Sequence, residues 1–498
     1  MGDLKWTILI PGLIIAGWCA WCLIRRPLLG VFVLLAQTIL FDQFCMGPVS
    51  ILWRPELYNN FNLTLGISQL VFNPPEVVIV LMAVGWLIQA TAGRLPGRPL
   101  MAVSALGALW MLMVCIAVWW GAVNGGNVKI GLWVLRPVFY FLALGFFTYQ
   151  LVRSERQVNW MLGVILATVA IKSVATCLLW GIHHRDGVDW ECYVSHEDTS
   201  FCLYPLWLAL GVFFLGTSRR LQITLYALVP VIAAAVMFND RRINFVTLIL
   251  GSALILLAMP RGALTRRGVF IFAGAIGVLL YIAVSLMGPK NAVTEPVKGI
   301  VSGLQSEVAN QNTDSSSQYR KLERYDLLHT VRAYPILGTG LGIRYLQPIE
   351  LPRLPFEYYV YINHNQILMT HALMGPVAYG VLMLFYLTLF AVLLSYYRQL
   401  KDPWHRVLSL AAAASVANWL IVGYYDMQLF FFRNSIFIGV VVALPAALMR
   451  MQEFREAGLA RLGVPSLPSP LAPPPPPPQP PLPPPPLPPK ESACDSAG

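Results

Sequence analysis

Charged side chains are scarce in this sequence. Only 12% of the 498 residues are Asp, Glu, Lys or Arg, whereas an ordinary soluble domain carries about 25%. Hydrophobic residues make up 57% of the chain, and the mean hydropathy is +0.62. Charged residues are too few to form the polar surface that a soluble protein of this size needs. The composition therefore excludes a soluble enzyme.

Acidic residues are also fewer than basic ones. The chain has 24 Asp and Glu against 35 Lys and Arg, which gives a formal net charge of +11. On so apolar a chain, this excess indicates basic loops beside a membrane rather than a groove for nucleic acid. We therefore expect membrane lipids around the chain and no nucleic-acid partner.

Three familiar signatures are missing. No DxD motif occurs in the segments that we expect to face outward, so we predict no metal and no other cofactor. No repeat relates the two halves of the chain, which weakens the interpretation as an inverted-repeat transporter. Cys19 and Cys22 form a CxxC motif without a second pair, so they do not indicate a zinc site.

Long apolar runs occur along nearly the whole chain. A helix needs roughly 17–25 apolar residues to cross a bilayer, and thirteen segments qualify as candidates. The second is short, so twelve spans with a re-entrant or merged element near the N-terminus are nearly as well supported. The segments lie near 7–24, 27–43, 75–93, 100–122, 129–150, 158–180, 200–217, 221–238, 243–259, 268–287, 366–397, 405–425 and 429–450.

Basic residues in the short loops set the orientation. Most of them fall in one alternating set of loops, which the positive-inside rule assigns to the cytoplasm. We therefore predict a multi-pass, all-α protein of the bacterial inner membrane with one large periplasmic loop. Its expected parts are an N-terminal transmembrane bundle (1–287), the periplasmic loop (288–363), C-terminal transmembrane helices (364–450) and a cytoplasmic, Pro-rich, disordered tail (451–498).

Arginines on the outer side of the membrane are candidates for binding an anion. Arg136 lies inside a span, where a guanidinium either extends to the interface or binds an anion. Arg241 and Arg242 lie where the charge rule disfavours them, and their planar guanidinium groups match phosphate oxygens. The alternative for this pair is a structural salt bridge with Asp240.

The end of the large loop carries a histidine at the mouth of a span. A glycine-rich segment, residues 335–342, precedes it, and a simple turn is the default interpretation of that segment. His364 is followed by Asn365, and a histidine in this position can act as a general base or be a hydrogen-bonded interfacial residue. Upstream, residues 316–334 predict an amphipathic helix that could lie along the membrane over a site.

These residues together resemble the O-antigen ligase and polymerase family of bacterial membrane proteins. The resemblance consists of Arg324, the glycine-rich segment 335–342, and His364 with Asn365 leading into a span with Gly375. The earlier arginines, Arg136 with Arg241 and Arg242, also match. The chain departs from the pattern at Leu373, where many members have Glu, and at Ala378, where the second Gly is expected.

The resemblance implies a metal-independent glycosyltransferase of the C type. Such an enzyme takes a glycan from undecaprenyl diphosphate and attaches it to a periplasmic hydroxyl. It implies His364 as the catalytic base, and Arg136, Arg241, Arg242, Arg324 and Asn365 as substrate-binding residues. His371 is a candidate substitute for the missing Glu, although a packing contact fits it better.

The first functional hypothesis is a polysaccharide polymerase that extends an exopolysaccharide or O-antigen. The alternatives are an O-antigen ligase with lipid A core as acceptor, transfer of the glycan to protein, a flippase or other transporter, and a scaffold that uses the Pro-rich tail. The expected partners are the lipid-linked oligosaccharide, the acceptor glycan or lipid A core, and other polysaccharide-assembly proteins. Acceptor choice resides in cavity shape, which the sequence does not reveal.

Overall fold

A computed structural model describes most of the chain. The described residues are 2–43, 52–61, 72–93, 101–185, 193, 195, 197–239, 242–260, 268, 315–353 and 358–461. Within these ranges the secondary structure is helical and includes no β-strand, apart from one bridge between Asp42 and Trp53. The expectation of an all-α, multi-pass membrane protein is confirmed.

Thirteen α-helices lie in the described part of the chain. They are α1 (Gly2–Arg25), α2 (Leu28–Leu40), α3 (Pro74–Thr91), α4 (Met101–Val123), α5 (Val128–Leu151), α6 (Glu155–Arg185), α7 (Asp198–Leu215), α8 (Arg219–Phe238), α9 (Arg242–Ala258), α10 (Ser315–Ala333), α11 (Gln366–Gln399), α12 (Pro403–Tyr425) and α13 (Phe432–Arg461).

Fewer helices than expected are long and apolar enough to cross a membrane. Eight of the described helices pass that test, or nine if the bent pair α1 and α2 forms one span. Two more apolar stretches, Ser200–Leu215 and Ile243–Ala258, are shorter. The expected span at 268–287 lies almost entirely outside the described residues, as does the tail beyond 461.

The first two helices form a sharply bent pair. Their axes differ by 117°, and the break falls at Arg26 and Pro27. Helix α2 has 13 residues, or about 20 Å at 1.5 Å per residue, which is too short to cross a hydrocarbon core of about 30 Å. This geometry corresponds to the re-entrant or merged element that the short second apolar run indicated.

Helices α12 and α13 occupy the centre of the described bundle. Residues 411–414 of α12 are four fully buried alanines, and such small side chains allow neighbouring helices to approach closely. Gly439 of α13 has the same function at the crossing with α5, because a Cβ there would lie 2.6 Å from the carbonyl oxygen of Phe141. Helix α13 continues to Arg461, past the expected end of the membrane part at residue 450.

A buried ionic cluster connects four elements. Arg433, at the start of α13, contacts Asp42, Glu197 and Asp198, and its Nη1 lies 2.6 Å from Glu197 Oε2. Lys172 of α6 lies 2.6 Å from Asp42 and 2.8 Å from Asp198. All five side chains are almost fully buried. Because an unpaired buried charge is costly, this cluster fixes α2, α6, α7 and α13 to one another.

Helix α10 matches the amphipathic helix expected at 316–334, but the two acidic residues of its polar face are turned inward. Glu323 and Asp326 are buried, whereas Tyr325 and Leu328 of the apolar stripe are exposed. Asp326 accepts a hydrogen bond from the backbone N–H of Ile349, and burial raises the pKa of its carboxyl. Polar partners inside the protein therefore orient the helix, while Leu322 and Val331 of the apolar stripe pack against the core.

Candidate active site

His364 lies immediately before α11, where the loop enters the span. Asn365 is the N-cap of this helix, because its side-chain oxygen accepts a hydrogen bond from the backbone N–H of Leu368 at 2.9 Å. Gln366 then accepts from the backbone N–H of Phe430, which connects the same turn to the loop between α12 and α13. The mouth of the span is thus fixed by two side chains that follow the histidine.

A carboxylate holds the imidazole of His364. Its ring Nδ1 lies 3.1 Å from Oε2 and 3.3 Å from Oε1 of Glu323, and its backbone N–H donates to Oε2 at 3.0 Å. The Glu323 side chain is 2% exposed and the His364 side chain 17%. Glu323 belongs to α10, so the inward polar face of that helix supplies this contact.

The carboxylate also decides which ring nitrogen can act as a base. An ionised carboxylate only accepts hydrogen bonds, so Nδ1 of a neutral His364 carries the hydrogen. The lone pair is then on Nε2. Within the described part of the chain, Nε2 has no hydrogen-bond partner. This arrangement suits proton abstraction by Nε2 and stabilises the imidazolium that results.

Tyr319 lies beside the same imidazole. The two rings pack edge to face with their centroids 5.7 Å apart. Burial and the neighbouring charge of Glu323 raise the pKa of Tyr319 above its ordinary value, so the phenol keeps its proton. Its buried Oη has no hydrogen-bond partner among the described residues, which makes it a potential donor to a bound molecule.

Other polar atoms near this point are also buried and unsatisfied by the described residues. They are the Nε of Arg320, both amide atoms of Asn363 and the Nε2 of Gln366. Buried polar groups in native proteins nearly always have partners. Such a concentration, within a few residues of His364 and Glu323, is typical of a site that receives a polar ligand or ordered water.

Two arginines of α10, Arg320 and Arg324, lie close in sequence to Glu323. Arg324 is exposed, and its guanidinium carbon lies 6.0 Å from the ring centroid of Tyr424. Arg320 is partly buried one turn earlier and forms no ion pair with a described residue. The sequence motif includes Arg324 but neither Arg320 nor Glu323, although all three belong to the same predicted helix.

Arg136 is bound by other protein groups. Its Nε lies 2.8 Å from Glu76 Oε1, and its Nη1 donates to Asn60 Oδ1 at 2.9 Å. One turn earlier in α5, Trp133 packs against Tyr358 of the segment that leads to His364, with ring centroids 6.1 Å apart. Arg136 therefore lies one helical turn from a residue that contacts this segment, with its charge already balanced by a carboxylate.

The expected arginine pair falls at the edge of the described chain. Asp240 and Arg241 lie outside the described residues, and Arg242 is the first residue of α9 with its side chain undescribed. Arg242 therefore lies at the N-terminal end of α9, close in sequence to the end of α8. That these guanidinium groups lie close to His364 therefore stays a prediction.

The glycine-rich segment forms a backbone clasp between two helices. The backbone N–H groups of Thr339 and Gly340 donate to the carbonyls of Ala372 and Leu373 in α11, and that of Leu341 donates to Ala117 in α4. These contacts engage three consecutive backbone N–H groups, and the segment forms turns, as the default interpretation expected.

A kink in α11 explains why those carbonyls are free. Gly375 has a φ of 82°, and Pro376 has no N–H to donate to Ala372 four residues earlier. The clasp satisfies the carbonyls that the kink leaves open. Gly338 and Gly340 have φ of 67° and 94°, and a Cβ on Gly338 would lie 2.4 Å from the backbone of Leu373.

His371 and Tyr379 lie on opposite sides of this kink in α11. Their rings stack with centroids 5.4 Å apart. This contact fits the packing function that the sequence favoured for His371. The carboxylate that contacts His364 belongs to Glu323, and His371 has no part in that contact.

A comparison with known protein families gives one match. Residues 204–383 match the model of a family described as O-antigen ligase. This region is similar to the O-antigen ligase family. No curated protein matches the chain.

The O-antigen ligase region contains the clasp, α10 and the start of α11. Glu323, Arg324, His364 and Asn365 all lie inside it, whereas Arg136 lies outside. The match confirms the resemblance to the O-antigen ligase and polymerase family, whose members are glycosyltransferase-like enzymes. It supports an activity of the O-antigen ligase or polymerase type and does not separate the two.

The segment 186–198, which carries several Asp, Glu, His and Cys residues, lies largely outside the described residues. The described residues contain no group of three or more His, Cys, Asp or Glu arranged to hold a metal ion. Expected independence of metal ions stays a prediction that only an assay can test.

Proposed function

We propose that the chain is a polysaccharide polymerase of the bacterial inner membrane. It transfers a glycan from undecaprenyl diphosphate to a hydroxyl of an acceptor repeat unit at the periplasmic face. The observation that carries this proposal is the Glu323–His364 pair with Nε2 unoccupied by the described residues, inside the O-antigen ligase region.

The proposed reaction is a single displacement. The acceptor oxygen forms a bond to the anomeric carbon while the bond from that carbon to the diphosphate oxygen breaks. The bonding electrons leave with undecaprenyl diphosphate, and the hydroxyl proton passes to Nε2 of His364. Attack from the face opposite the leaving group inverts the anomeric configuration.

Glu323 serves as the positioning residue for the base. Its carboxylate holds Nδ1–H and stabilises the positive charge that the imidazole acquires when Nε2 takes the proton. Asn365 positions the same histidine through the N-cap of α11, and its proposed contact with substrate is additional to that function.

Arginines stabilise the charge on the departing diphosphate. Arg324, Arg241 and Arg242 are the proposed donors, and the partly buried Arg320 joins them because its Nε lacks a described partner. Such donors to a developing anion are worth roughly 2.7–4 kcal/mol each in other enzymes. Arg136 stays in the proposal with weaker support, since Glu76 and Asn60 already bind its guanidinium.

An O-antigen ligase is the second candidate, and the match to a family described as O-antigen ligase supports both activities. The chemistry and the residues are the same, and the acceptor is lipid A core. A deletion strain separates the two: capped single repeats accumulate if the missing protein is a polymerase, and full-length chains stay on the lipid carrier if it is a ligase.

A reconstituted assay tests the proposal itself. The purified full chain is given a defined undecaprenyl-diphosphate-linked repeat together with either a second repeat or lipid A core. Chain extension supports the polymerase, and transfer to lipid A core alone supports the ligase. No transfer to either acceptor by folded protein would refute both.

A further inference from the structure

A crevice opens at the end of the bundle opposite to His364. Its volume is about 760 Å³. It lies where α1 breaks into α2, where α3 and α5 end and where α6 begins. The loops at this end carry the basic residues that predict the cytoplasmic side.

The charge of the crevice has one sign. Arg25, Arg26 and Arg153 line it, and no carboxylate is among its lining residues. The polar remainder consists of neutral amides from Gln89, Gln157 and Asn159. None of the three arginines forms an ion pair with a described residue, so the crevice keeps its positive charge.

Neutral groups hold two of these arginines in place. The Arg25 guanidinium lies 4.2 Å from the ring centroid of Trp21. Arg153 donates from Nη2 to Gln89 Oε1 at 2.9 Å, and its backbone N–H donates to Gln157 Oε1 at 2.7 Å. These contacts position the cations and leave their charge unbalanced.

Apolar side chains continue from the arginines along α2 and α6. They include Leu28 and Phe32 on one helix and Trp160, Val164 and Ala167 on the other. Trp160 is largely exposed, as is typical of tryptophans at the level of lipid headgroups. A ligand that fits must therefore combine an anionic head with a hydrocarbon tail.

A neighbouring buried arginine extends the cationic region. Arg153 also lines a second crevice with Arg450, which is 6% exposed, and the one carboxylate of that crevice, Glu155, is paired with Arg455. Nη2 of Arg450 donates to the carbonyl of Val152 at 2.5 Å, while its buried Nη1 has no hydrogen-bond partner among the described residues. An additional phosphate oxygen would satisfy this donor.

We propose that this crevice binds an anionic glycerophospholipid of the cytoplasmic leaflet. The phosphodiester contacts Arg25, Arg26 and Arg153, and an acyl chain lies along Phe32 and Val164. Basic pockets between helices on this side of a membrane bind anionic headgroups in this way. The site is distinct from the proposed donor site, which lies at the opposite end of the helices.

Native mass spectrometry of the full chain in neutral detergent tests the proposal. Phosphatidylglycerol is titrated into the unaltered protein and the triple variant Arg25→Gln, Arg26→Gln, Arg153→Gln. A second triple variant, Arg219→Gln, Arg220→Gln, Arg398→Gln, removes the same charge from the same expected face outside the crevice. Phosphatidylcholine is titrated in parallel.

We expect the crevice variant to need on the order of tenfold more phosphatidylglycerol for half occupancy. The control variant should match the unaltered protein, and phosphatidylcholine should bind all three equally. Equal phosphatidylglycerol binding by both variants would overturn the proposal, as would full displacement of the lipid by soluble glycerol 3-phosphate. If the crevice variant loses its cooperative thermal transition, single Arg→Gln variants replace it.

Discussion

Glu323 determines how the imidazole of His364 is held and which of its nitrogens is basic. It contacts both the backbone N–H and the ring Nδ1 of the histidine while remaining almost fully buried. A side chain that only filled space there would not need to be charged. The charge is therefore the property to remove in a test.

Glu323→Gln should lower kcat about tenfold to a hundredfold and leave both KM values nearly unchanged. General-base catalysis is worth about 10²–10⁴, and the variant keeps the base while losing its charged partner. Steady-state kinetics in the reconstituted assay measure kcat and the two KM values separately.

Asp326→Asn is the matched control for that change. Asp326 is buried on the same helix and accepts from Ile349, without a described contact to His364. The control should keep kcat and change thermal stability little, because an amide oxygen can still accept from Ile349. If Glu323→Gln and Asp326→Asn have the same kinetics, Glu323 has no positioning function.

Arg324 is the arginine of the proposed donor site that the structure describes as exposed. Arg324→Gln should raise the KM for the lipid-linked donor about tenfold, because one charge-assisted contact to phosphate is lost. Arg332→Gln, an exposed arginine in the last turn of the same helix, should have no such effect. Unchanged donor KM in Arg324→Gln would exclude Arg324 from the donor site.

Among the elements, the glycine clasp and the kink in α11 depend on each other. Gly375 and Pro376 break the helical hydrogen bonds of α11 at the kink. Backbone N–H groups of the clasp donate to the carbonyls that are left without helical partners. The loop that carries His364 is thereby anchored on both sides, by α10 before the clasp and by α11 after it.

Gly338→Ala should destabilise the protein by more than about 1–2 kcal/mol. The left-handed φ alone accounts for roughly that amount, and the new Cβ would also lie 2.4 Å from the backbone of Leu373. Thermal unfolding in detergent measures the loss. Gly380→Ala, in α11 with open space around its Cβ, should be neutral or slightly stabilising. Equal stability of the two variants would contradict the clasp.

Helix positions could be read from the sequence, because apolar runs of about twenty residues have few other interpretations. The expected span 75–93 corresponds to Pro74–Thr91, and 221–238 to Arg219–Phe238. The orientation of α10 could not be read in the same way. Its polar stripe resembles a solvent-facing surface until the distant partners His364 and Ile349 are known.

At the scale of the whole molecule, the sequence indicated part of the proposed site. His364, Arg324 and Asn365 follow from local motifs. Glu323 acquires its function through a residue 41 positions away, which no local pattern encodes. Arg433 and Lys172 each stand alone in an apolar stretch, so their shared cluster with Asp42, Glu197 and Asp198 becomes visible only in three dimensions.

Metal independence is predicted for the protein as a whole. Addition of EDTA to the reconstituted assay should leave the initial rate unchanged, because the proposed leaving-group stabilisation comes from arginines. A loss of activity that Mg²⁺ or Mn²⁺ restores would contradict this mechanism. The same preparation without chelator is the control.

The central claim is that Nε2 of His364 takes the proton of the acceptor hydroxyl. The most direct measurement is the initial rate of glycan transfer by purified His364→Ala beside His371→Ala, both verified as folded and inserted in the membrane. We expect a loss of about 10²–10⁴ in kcat for His364→Ala and a nearly normal rate for His371→Ala. A normal rate in His364→Ala would contradict it.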